Sequence, residues 1–77
     1  MGALDAIKTS KLIKLLESNG FRRMGQKGSH IRFSKPGILR PIIVAAHGKE
    51  IKAYLAKQAA AALGLTIQQL IEELKNY

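Results

Sequence analysis

The hydrophobic period of this sequence changes twice, and those changes limit what the chain can fold into. Leu12, Ile13, Leu15 and Leu16 share one face at helical spacing, with Lys11, Lys14 and Glu17 outward. Thr9 or Ser10 is placed to cap that helix, and Gly20 after Ser18-Asn19 to stop it in the left-handed region. The period then drops to two. Phe21 to Gln26 reads as a strand, Lys27-Gly28 as a turn, Ser29 to Ser34 as a second strand, and Lys35-Pro36-Gly37 as a second turn. Leu39 to Ala46 reads as a third strand, with Pro41 placing it at an edge or marking its start.

Helical spacing returns near Lys49 or Glu50, where Ile51, Leu55, Ala59 and Leu63 form one stripe that Gly64 ends. Thr66-Ile67-Gln68-Gln69 is a capping box for a last helix carrying Ile67, Leu70, Ile71 and Leu74, with Leu65 placed to staple onto Leu70. The expected architecture is α+β: helix, three-stranded antiparallel sheet, helix, helix, with the helices on one face of the sheet. Residues 1 to 8 read either as a lead-in or as a first helical turn around Leu4 and Ile7.

A chain of 77 residues is expected to form one domain, spanning 1 to 77, and its 47% apolar content suffices for a core without a metal or disulfide staple. Without cysteine there is no thiolate metal site and no thiol nucleophile, which fits a reducing cytoplasm. The five carboxylates and two histidines show no metal-ligand spacing, so neither a metal nor another cofactor is expected. The longest apolar run, Ala59 to Leu63, is far too short to span a membrane, and no secretory signal core is present.

Charge concentrates in the strand region. Between Phe21 and Arg40 lie Arg22, Arg23, Lys27, Arg32, Lys35 and Arg40 and no carboxylate, so this stretch carries six of the eight net positive charges. A phosphate-bearing polymer is the natural partner for such a block, and an acidic protein could find and cover it equally well. The plain alternative is a basic surface that keeps a small protein soluble. Within the block, Gln26-Lys27-Gly28-Ser29-His30-Ile31-Arg32-Phe33 holds a single imidazole. Alternation sends Ile31 and Phe33 toward the helices and leaves His30, Arg32 and Ser34 on the open face.

RNA carries its own nucleophile, the 2′-hydroxyl, so metal-free cleavage needs a base, cations for the charge growing on the phosphate, and a proton for the departing oxygen. His30 is the candidate base, with Lys27 and Arg32 beside it and Arg22, Arg23, Lys35 and Arg40 along the backbone path. Gly28 and Ser29 sit at the rim, where Gly28 serves either phosphate approach or a plain hairpin turn. His47 reads either as an acid paired with His30 or as a structural residue at a strand end, and Tyr54 as a base-stacking group or as part of the core or of a partner interface. Two other classes stand beside the nuclease: a non-catalytic RNA-binding module on the same fold, and a DNA-binding regulator. The regulator is disfavoured because no helix concentrates Arg and Lys for a major groove.

Four fragments in order resemble the HicA family of bacterial toxins. They are Ser10 to Phe21 with its Gly-Phe exit, Gln26 to His30 with Phe33 (a Gly-Ser-His signature), Val44 to Ile51 with His47-Gly48-Lys49, and Leu63-Gly64-Leu65-Thr66 before a helix. Together they cover about residues 9 to 74. The resemblance implies a fold similar to a double-stranded-RNA-binding domain and a metal-independent mRNA interferase, an endoribonuclease inhibited by a HicB-like antitoxin. It also implies His30 as the catalytic residue and Gly28 as a functional neighbour. Lys52-Ala53-Tyr54-Leu55 departs from the Pro-Gly or Gly-Thr start that many members show at the second helix.

Overall fold

The computed structural model describes residues 8–45 and 51–77. Three helices and three strands run in the order α1 (Thr9–Ser18), β1 (Arg22–Lys27), β2 (His30–Ser34), β3 (Ile42–Ala45), α2 (Ala53–Leu63) and α3 (Ile67–Leu74). The sheet is antiparallel in the order β1-β2-β3. This is the α+β order that the periodicity predicts, with the helices over one face. Readings that involve residues 1–7, Ala46, His47, Gly48, Lys49 or Glu50 lie outside the described residues.

The inner face of the sheet is Ile31 and Phe33 from β2 and Ile42 and Val44 from β3, all buried. Leu12, Leu15 and Leu16 of α1, Leu55, Ala56, Ala59 and Ala60 of α2, and Leu70 and Leu74 of α3 close over it as one cluster. Each large side chain removed from water here contributes about 1.5–3 kcal/mol. The core therefore rests on β2, β3 and the helices. All six residues of β1 are exposed, so that strand adds pairing to the sheet and almost nothing to the core.

Several element ends differ from the sequence reading, each for a local reason. Neither Thr9 nor Ser10 caps α1: Lys8 is the N-cap residue, and no side chain caps it. Thr9 is the first helical residue, and its Oγ1 donates to the Ala45 carbonyl at 3.1 Å, tying α1 to β3. Phe21 belongs to the end of α1 and not to β1. Its N–H bonds the Leu16 carbonyl and the Gly20 N–H bonds the Glu17 carbonyl, with Gly20 at φ +90, so the helix closes in a Schellman motif whose apolar member is the buried Phe21.

The same motif ends α2, where Gly64 sits at φ +73 and the Leu65 N–H reaches the Ala60 carbonyl at 2.8 Å. Helix α2 itself starts at Ala53, so the buried Ile51 packs from the segment before it. Strand β3 begins after Pro41, which has no N–H to give a ladder, and this leaves Leu39 outside the strand and fully exposed. The capping box of α3 forms as expected: Gln69 N–H donates to Thr66 Oγ1 at 3.1 Å, and Thr66 N–H to Gln69 Oε1 at 2.9 Å.

Candidate functional site

The site is set by strand register. In β2–β3, His30 pairs with Ala45, Ile31 with Val44, Arg32 with Ile43 and Phe33 with Ile42. In β1–β2, Arg22 pairs with Ser34 and Arg23 with Phe33, but then Gly25 pairs with Arg32, Gln26 with Ile31 and Lys27 with His30. One extra residue, Met24, is accommodated in a β-bulge between Arg23 and Gly25. Its effect on the site is large, because a one-residue shift moves every following side chain to the other face. An unbulged strand continuing from Arg22–Ser34 would set Gln26 opposite His30. With the bulge, Lys27 stands opposite His30 on the open face and Gln26 opposite the buried Ile31.

The open face thus has three rungs: Lys27, His30 and Ala45; Gly25, Arg32 and Ile43; and Arg22 with Ser34. Successive rungs are two residues apart, about 6.7 Å along the strands. His30 is exposed, in an open depression lined by Gly25, Gln26, Lys27, Arg32 and Ile43. The loop from Lys27 to His30 holds two residues, Gly28 and Ser29. Gly28 has φ +61 at the first central position, as a type II′ hairpin requires, and its carbonyl accepts from Gln26 Nε2 at 2.9 Å. The turn is therefore Gly28-Ser29, one residue later than the sequence reading, and hairpin geometry alone accounts for the glycine.

Not all six cations share this face. Arg23 stands opposite Phe33, on the helix side. Its guanidinium lies 5.8 Å from the Phe33 ring centroid, and its Nε is 3.4 Å from Glu17 Oε2. Lys35 also turns back: its Nζ donates to the Asn19 carbonyl at 3.3 Å, where the end of α1 is negative, and lies 4.9 Å from the Phe21 ring centroid. The expectation that Arg23 and Lys35 lie with the other cations along one phosphate path beside His30 is corrected by these contacts. Strand alternation places Arg22, Lys27 and Arg32 on the open face; Arg23 and Lys35 brace the sheet against α1.

The open face also carries residues that the sequence reading passed over. Met24, Gly25 and Ile43 line it, with Met24 and Ile43 well exposed. Ile43 was legible from alternation with Ile42 and Val44, but a bulge leaves no sequence mark that would have revealed Met24. Tyr54 is exposed on the first turn of α2, which excludes it from the core. Among the described residues, no helix is long and apolar enough to cross a membrane.

Among the described residues, the chain is an α+β fold with a cationic sheet face around the exposed His30. The family model described as HicA toxin of bacterial toxin–antitoxin systems matches residues 9–65, well over half of the chain. The chain belongs to the HicA toxin family. No curated protein and no solved structure gives a significant match.

Proposed function

We propose that this toxin is an mRNA interferase, a metal-independent endoribonuclease in which His30 is the general base and which a HicB-like antitoxin holds silent. The observation that carries the reading is an exposed imidazole between two cations, with Lys27 as its cross-strand partner and Arg32 two residues along the same strand. His30 takes the proton of a 2′-hydroxyl, and the freed oxygen attacks the adjacent phosphorus. The bond to the 5′-oxygen breaks, and that oxygen leaves with a proton from solvent. The products are a 2′,3′-cyclic phosphate and a 5′-hydroxyl end. Lys27 and Arg32 hold the phosphate as its charge grows, and Arg22 steadies the strand beyond it. Gly28 and Ser29 shape the rim by forming the turn that brings Lys27 to His30.

His30→Ala is the decisive variant. The side chain is exposed and packs against nothing in the core, so the variant folds, and cleavage and growth arrest are expected to disappear. Growth, transcript integrity and circular dichroism check this together; a folded variant that remained toxic would remove His30 from the mechanism. Cleavage is also expected to persist in excess EDTA and to stop on a strand that is 2′-deoxy at the cut position. The reading as a non-catalytic RNA-binding module would instead predict toxicity that does not depend on His30.

A further inference from the structure

A second depression lies two rungs from His30 on the open face, lined by Gly20, Arg22, Met24, Ser34, Lys35 and Pro36. Ser34 stands four positions along β2 from His30, about 13 Å of strand. Its chemistry differs from that of the first. Met24, 62% exposed, supplies a polarizable apolar surface, and thioethers contact aromatic rings favourably. Arg22 supplies a planar fork suited to phosphate, and Ser34 a hydroxyl that can donate or accept. The charge of Lys35 is already committed to the end of α1, so in this depression Lys35 contributes its stem. No carboxylate falls between Phe21 and Arg40 to repel a phosphate.

The form of β1 points the same way. A strand with no buried residue, a glycine in its interior and a bulge contributes little stability. The bulge nevertheless keeps Met24 on the open side, and it also aims Lys27 at His30. Both depressions are products of the one irregularity.

We propose that the second depression is a nucleotide subsite on the same RNA strand whose scissile phosphate sits at His30. Met24 lies under a base, Arg22 holds the phosphate, and Ser34 meets a ribose or base edge. The ligand is single-stranded RNA, because an unstacked base is what can lie flat on an exposed side chain. The proposal rests on RNA being the substrate.

The test uses the full chain carrying His30→Ala, so that the probe survives, with labelled RNA followed by fluorescence anisotropy. The probes are a dinucleotide, a hexanucleotide and the hexanucleotide annealed to its complement. The expected result is a clear preference for the single-stranded hexanucleotide over the dinucleotide. Adding Met24→Ser, which changes no charge, should cut that preference roughly two- to tenfold, the scale of one thioether–ring contact. Arg22→Ala should cut it further, and Lys14→Ala, on the far side of α1, should leave it alone.

Equal weakening of both single-stranded probes would reduce Arg22 to diffuse charge and overturn the subsite. Tighter binding of the duplex, or no length preference at all, would overturn it too. If the length preference responds as expected while the chain with His30 intact leaves RNA uncut, the subsite stands and the ribonuclease reading falls.

Discussion

Single residues on this sheet differ less in charge than in the company their charges keep. Arg23 and Arg32 are both arginines in paired strands, yet Arg23 faces Glu17 and the Phe33 ring while Arg32 faces solvent between Gly25 and Ile43. A cation with an internal partner releases fewer counterions when a polyanion arrives. Arg32→Ala is therefore expected to lower RNA affinity and to reduce the salt slope by about one unit. Arg23→Ala should move the slope by less than half as much and should instead loosen the packing of β1 on α1. Titrating RNA binding between low and high salt for the two variants checks the difference. The sequence counted these residues as equivalent members of one basic block, because the property that separates them is which face of the sheet each occupies.

At the scale of elements, the order of helices and strands was legible because each period is long enough to read and its stops are chemical. Gly20 and Gly64 both hold positive φ in Schellman ends, and Thr66-Gln69 closes on itself as its spacing requires. Thr66→Ala is expected to cost about 1 kcal/mol, the usual contribution of an N-cap side chain, with Thr66→Asp close to neutral; urea denaturation gives the comparison. What stayed hidden were features without a local composition. The Thr9 hydroxyl is turned toward a strand that lies 36 positions away in sequence, so its helix-capping potential is not used. The bulge at Met24 lies in the mismatch between the Arg22–Ser34 and Lys27–His30 pairings, which differ by one residue in register. No window of a few residues contains that conflict. The geometry of the candidate site was thus half legible: alternation placed His30 and Arg32 together on the open face, whereas the position of Arg23 on the helix side and of Met24 in a bulge was not readable.

For the molecule as a whole, the cationic face and the helical face are separate surfaces, and the antitoxin must choose between them. An antitoxin that covered His30 with carboxylates over Lys27 and Arg32 would associate fast and in a salt-dependent way. Reversing charge at Lys27 and Arg32 together is expected to slow antitoxin binding and weaken inhibition more than the same change at Lys14 and Lys75; stopped-flow association across a salt series checks this. Equal rates for the two pairs would move the antitoxin to the helices. The two rims of the sheet bear on a different matter, the behaviour of the free chain at high concentration. At the two ends of β3, the carbonyls of Pro41 and Ala45 already accept from Gln58 and Thr9. On β1 the bulge interrupts the ladder, and Arg22 and Lys27 oppose the approach of a second copy. Both rims are thereby poor templates for strand-to-strand pairing between copies of the chain.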